Sequence, residues 1–172
     1  MSSPVEPSGP KGDDAQRPGS VLLIIGQIGA GVMAVSLVLP WLTMLWESRS
    51  YLSLGLRLIE ALNKSNPFNG TTNQIGEGLF YLALFAAPAG ATVLAVFTAI
   101  DSLAQKRKLR DSFAGFVLAG VVGLVGSGGF YYLCTRSPGF SSDALGSGYF
   151  LFAVASVVVL VCGAASGASE EG

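Results

Sequence analysis

Glu77 is the one acidic residue near the start of an apolar stretch that does not belong to an evident loop, and Tyr81 follows it by one helical turn. A carboxylate beside lipid is a functional suspect, since burying its charge is costly unless it binds or relays something. No second carboxylate stands at a useful spacing, and Gln74 and Gly76 bring water close. Glu77 therefore reads as an interfacial residue near a helix N-terminus, held there by the helix dipole. Glu60 and Lys64 form an i, i+4 pair worth only about 0.3–0.5 kcal/mol at an exposed site. The run Gly26–Gly31, GQIGAG, superficially looks like a dinucleotide fingerprint, but its glycine order is wrong and no strand precedes it. Helix packing is its simpler role.

The chain contains no histidine. That removes histidine-ligated metal and haem sites and the Ser-His-Asp triad. The two cysteines, Cys134 and Cys162, fall at the end of one apolar stretch and deep inside another. They lie too far apart for a disulfide, which needs α-carbons within about 7 Å, and they lack the Cys-x-x-Cys spacing of a dithiol oxidoreductase. No catalytic, metal-binding or cofactor-binding residue is singled out, and a non-enzymatic protein is the expectation.

The elements that would position any site are apolar. Of 172 residues, 51% are hydrophobic and only 12% charged, with a net charge of −1 and a mean hydropathy of +0.57. This is the composition of a membrane protein, and it offers no basic field for nucleic acid. Val21 to Trp46 runs without a formal charge and closes on Leu39-Pro40-Trp41 and a second tryptophan, with Pro40 expected to kink the helix or mark its last turn. Three later stretches share its character. The sequence predicts an all-α, polytopic four-helix membrane bundle over residues 20–168, with spans at about 21–46, 75–100, 113–133 and 149–165. Residues 1–19, rich in Pro, Gly, Ser and charge, read as a disordered tail, and 169–172 as a short polar one.

Small residues recur at four-residue intervals within the spans: Gly26, Ala30 and Ala34; Ala83, Ala87, Ala91, Ala95 and Ala99; Gly115, Ala119, Gly123 and Ser127. These series are expected to be packing seams, where backbones approach closely. Pro88 predicts a kink halfway along the second span. In the first long loop, Leu52, Leu56, Ile59 and Leu62 alternate with Ser53, Arg57, Glu60 and Lys64 at helical spacing. They predict a short amphipathic helix lying on the membrane surface or over the mouth of the bundle, broken by Asn66-Pro67 and Asn69-Gly70.

Lys106, Arg107, Lys108 and Arg110 crowd the connection between the second and third spans. The positive-inside rule makes that loop cytoplasmic and puts both termini on the same side of the cell membrane. Trp41, Trp46, Tyr51, Tyr81, Tyr131, Tyr132 and Tyr149 then gather at the outer ends, as an interfacial belt or as an aromatic surface for a partner or lipid. Leu39-Pro40-Trp41, followed by Leu54-Gly55-Leu56-Arg57-Leu58-Ile59-Glu60, resembles small bacterial four-span membrane proteins of uncharacterised function. The longer first outer loop is also loosely similar in layout to claudin-type proteins, although their Gly-Leu-Trp and paired-cysteine pattern is missing from it.

Besides the lipid bilayer, the expected partner is another membrane protein or a second copy of the chain. The expected role is an accessory or scaffold subunit of a larger membrane complex, or alternatively a small channel or transporter acting as an oligomer, with Gln27, Ser36, Thr92, Thr98, Ser127 and Ser156 as modest polar lining. The orientation has a direct check in protein whose native cysteines are replaced. A membrane-impermeant thiol reagent applied to intact cells should label Ser65→Cys and Ser141→Cys and spare Gln105→Cys; the reverse pattern would invert the topology.

Overall fold

A computed structural model of the chain describes residues 18–44, 47–65, 72–104, 109–136 and 142–168. The element order is α1 (Pro18–Ser36), β1 (Pro40–Met44), β2 (Glu47–Ser50), α2 (Tyr51–Ser65), α3 (Thr72–Ala104), α4 (Leu109–Thr135), a one-turn 3₁₀ helix (Ser142–Ala144) and α5 (Ser147–Ala168). Four of the helices form the bundle. α1 packs on α5 and α3, and α4 packs on α3 and α5, so the ring follows chain order; the α1–α3 side is the sparsest. The all-α bundle expected from the sequence is present, and so is the amphipathic helix in the first long connection.

Three helices are long and apolar enough to cross a membrane, over Phe85–Ala104, Phe113–Thr135 and Ser147–Gly167. The first expected span, about 21–46, is helical only as far as Ser36: α1 has 19 residues, about 29 Å of helix against roughly 30 Å of hydrocarbon, and its described apolar part is Val21–Ser36. The helix stops at Ser36, the chain turns over residues 37–39, and Pro40 opens a strand instead of kinking a helix. Proline dictates this locally: it disfavours helical geometry in the residue before it, and its missing N–H is tolerated at a strand's first position. Helix α1 also begins at Pro18, so the two last residues of the expected tail are helical, with proline at a first position that loses no hydrogen bond. The rest of that tail, Trp46, Lys106, Arg107, Lys108, the Asn66-Pro67 and Asn69-Gly70 breaks and residues 169–172 lie outside the described residues. So do the side chains of Glu77, Tyr81 and Arg110, whose backbones are helical.

The small-residue series meet other helices, but not along straight seams. Four residues advance a helix by about 400°, so each step drifts roughly 40° around the axis. In α4, Gly115 lies against Thr98 of α3, while Gly123 faces Ser156 of α5 and Met33 of α1. In α3, Ala91, Ala95 and Ala99 are buried, Ala87 is half-buried and Ala83 is exposed, so Ala83 lies outside the core of the bundle. In α1, Gly26 sits under the Phe116 ring, Ala30 is buried and Ala34 is half-buried. Ala119 is fully buried.

Glycines outside the four-residue series bring α4 close to the backbone of its neighbours. A Cβ on Gly120 would lie 2.6 Å from the Leu160 Cβ and 2.7 Å from its backbone nitrogen, and one on Gly126 would lie 2.7 Å from the Pro88 ring. Helix α3 continues through Pro88, whose buried ring packs where Gly126 leaves room. Substituting Gly120→Ala should therefore destabilise the protein by about 1–3 kcal/mol through overpacking against backbone. Gly128→Ala, on an exposed face with open space around it, should be neutral or stabilising by up to about 1 kcal/mol from helix propensity. Denaturant titration of both variants in detergent micelles checks the contrast.

Candidate functional site

The end of the bundle where α1 stops carries a cluster of ring contacts, and it begins with an irregular strand pair. β1 and β2 are antiparallel, with Pro40 opposite Ser50 and Leu42 opposite Arg49, so Trp41 is the extra residue of a β-bulge. A bulge redirects the side chain it carries. Here it sends the indole inward, where Trp41 is completely buried.

The indole meets nearly every element at this end. Its ring lies 4.8 Å from Tyr51 of α2, 5.0 Å from Phe130 of α4, and 5.8 and 5.2 Å from Tyr149 and Phe152 of α5, with the Phe130 and Tyr149 pairs edge-to-face. Tyr51 in turn stacks on Phe85 of α3 at 4.6 Å, with the rings 10° from parallel. Trp41 Nε1 donates to the Ser36 carbonyl at 2.8 Å, satisfying an acceptor that the end of α1 leaves without an intrahelical donor. The Trp41 carbonyl accepts from Gly146 N–H at 2.8 Å, and Leu42 bridges to Leu145, so the segment before α5 is bound to the free side of β1. Glycine is required there: a Cβ on Gly146 would run into the Pro40 carbonyl oxygen, and one on Gly148 would lie 2.7 Å from the Trp41 ring.

Helix α2 is fastened to the same hub. Ser50 caps it, its Oγ accepting from Ser53 N–H at 3.4 Å while Ser53 Oγ donates to the Ser50 carbonyl at 2.8 Å. Tyr51 O–H donates to the Phe85 carbonyl, and Gly55 allows the Phe85 ring to within 2.9 Å of where its Cβ would be. Burial pushes the Tyr51 phenol up to about 12, against a smaller lowering from the Ala89 backbone.

The expected aromatic surface is therefore divided. Trp41 and Tyr51 are interior and offer no ring to a partner or lipid, because the bulge and the cap turn them into the bundle. Tyr149 is half-buried between Trp41, Phe130 and Phe150. Tyr131 and Tyr132 are exposed, and the Arg136 guanidinium lies 4.9 Å from the Tyr132 ring centre in a cation–π contact. Among the described residues, Tyr131 and Tyr132 are the outward-facing members of the expected patch, with Arg136 beside them.

The remaining chemical candidates are quiet. Cys134 and Cys162 are buried free thiols. Helix α3 begins at Thr72, so Glu77 falls beyond its first turn, where the dipole has largely decayed. It also precedes the apolar run that opens at Leu79. No cluster of three or more potential metal ligands occurs among the described residues. No protein-family model matches the chain, and no curated protein or solved structure matches it.

The Trp41 hub makes two separable claims on stability. Trp41→Phe keeps a ring but removes the donor to Ser36, and should cost about 1–3 kcal/mol; Trp41→Ala should cost about 3–5 kcal/mol. Because the folded-state pKa of Tyr51 is raised above the unfolded value of about 10, its contribution is complete below about pH 10 and is lost as pH rises through about 12. Unfolding titrations across that range should show an alkaline loss of stability that Tyr51→Phe reduces.

Proposed function

We propose that this protein is a non-enzymatic accessory or scaffold subunit of a larger membrane complex in the cell membrane, with both termini and the basic 105–110 connection cytoplasmic. The observation that carries this reading is the chemistry of the bundle interior. The hydroxyls of Ser36, Thr92, Thr98, Ser127 and Ser156, the polar lining expected of a channel, donate to carbonyls of their own helices at 2.6–3.0 Å. Gln27 donates across to Ser102 of α3 at 2.9 Å. Between them lie Met33, Phe116, Phe152 and Val159, all fully buried. An interior filled in this way holds helices together and favours a scaffold over conduction through a single bundle.

The exposed ends suit such a role. Tyr131 and Tyr132, with Arg136 beside them, are the residue types enriched in the centres of protein interfaces, and they stand on a helix fixed by close glycine contacts to both neighbours. The orientation rests on the cationic residues between α3 and α4.

Purification in a gentle detergent followed by intact-mass analysis should recover the protein with a co-purifying membrane protein, and Tyr131→Ala with Tyr132→Ala should release that protein without unfolding the bundle. Recovery of the chain alone under conditions that preserve other membrane complexes would count against the assignment.

A further inference from the structure

Helix α2 has three faces, not two. At 100° per residue, Tyr51, Leu54 and Gly55 share the side that packs on the bundle, where Tyr51 is buried and Leu54 lies against the core. Leu52, Leu56 and Ile59 form a second side, spaced i, i+4, i+7, and are 52%, 70% and 59% exposed. Arg57 and Glu60 occupy a third side, also exposed. A helix seated on protein needs only one apolar face, so the second one calls for an occupant of its own.

Its position in the fold supplies that occupant. The seat of α2 is Phe85, six residues into the apolar run of α3 that opens at Leu79 after Glu77 and Gly78. The helix is thus held within about 9 Å of the point where the apolar run of α3 begins, inside the depth of about 5–10 Å at which interfacial helices lie. Leu82 and Ala86, on either side of Phe85 in sequence, are exposed, and further along α3 the exposed residues are Val93, Phe97, Ile100 and Leu103. The free apolar face of α2 therefore stands at the margin of a surface that itself suits lipid tails. Helices lying in the membrane interface have this pattern of a sunken apolar face and a charged face toward water.

We propose that α2 is a membrane-surface anchor: Leu52, Leu56 and Ile59 insert into the lipid leaflet at the hairpin end of the bundle while Arg57 and Glu60 face water. The Tyr51–Phe85 stack and the Gly55 contact fix its depth, so the helix acts as a flange that sets how far the bundle sits in the bilayer. This seat is independent of the accessory role, because it needs no protein partner.

Nitroxide labels at positions 52, 56, 57, 59 and 60, introduced singly in protein whose native cysteines are replaced by alanine, test the proposal in phosphatidylethanolamine–phosphatidylglycerol vesicles. Collisions with oxygen, which partitions into lipid, are compared with collisions with a water-soluble nickel chelate. The ratio of oxygen to nickel accessibility should be about tenfold higher at 52, 56 and 59 than at 57 and 60, as expected for an apolar face sunk below the headgroups. Equal nickel accessibility at all five positions would place the face in water and overturn the proposal. Shielding of 52, 56 and 59 from both reagents would also overturn it, and would assign the face to a second copy or another protein. The labels at 57 and 60 serve as internal standards that the helix is formed and its polar side is wet.

Discussion

The hydrogen bond from the Trp41 indole to the Ser36 carbonyl is the contact on which the rest of this end of the molecule depends. A helix that stops within apolar surroundings leaves its last carbonyls without donors, and each buried acceptor left so costs about 1–3 kcal/mol. An indole only five residues on can reach back to Ser36 only if the chain reverses at once. The turn over residues 37–39, the strand opened by Pro40 and the bulge at Trp41 accomplish that reversal. Once the ring is inside, the rest follows: Tyr51 and Phe130 close around it, Gly146 N–H reaches its carbonyl, and Gly148 must lack a side chain.

This arrangement ties local chemistry to the whole architecture. The hub joins α1 through a hydrogen bond, α4 and α5 through ring contacts, and α3 through the Tyr51–Phe85 stack. It thereby sets where α2 lies. Toward the middle of the bundle, glycines take over as the organising residues, bringing α4 against the Leu160 backbone of α5 and the Pro88 ring of α3. Side-chain area holds one end, and its absence holds the centre. Both are answers to lipid, where helices gain nothing from leaving water and must associate through close packing and satisfied polar groups.

Much of this was legible in the sequence, and the failures have physical causes. Composition and apolar run length gave the class, the four bundle helices and the amphipathic α2. Run length misled at Val21 to Trp46, because hydropathy does not register the backbone restriction that Pro40 imposes; Glu47–Ser50 is too short and polar to read as a strand without its partner. The belt reading of Trp41 failed for the same reason, since a ring at a span's end faces the interface only while the helix continues. Of the alanine series in α3, Ala91, Ala95 and Ala99 are buried and Ala83 is exposed, as the drift of a four-residue repeat around the axis would have it. Gly146-Ser147-Gly148 carried the missed signal: two glycines flanking one residue at the start of a helix mark a backbone passing close by.

The most direct test of this account is the environment of the Trp41 ring in a bilayer. In Trp46→Phe protein reconstituted into vesicles, Trp41 is the sole tryptophan, and its fluorescence can be challenged from lipid by brominated phosphatidylcholine and from water by acrylamide. A hub sealed by Tyr51, Phe130, Tyr149 and Phe152 predicts that neither reagent quenches it appreciably. Strong quenching by the brominated lipid would mean that the first helix runs on to the interface with Trp41 facing outward, and would contradict the account at its centre.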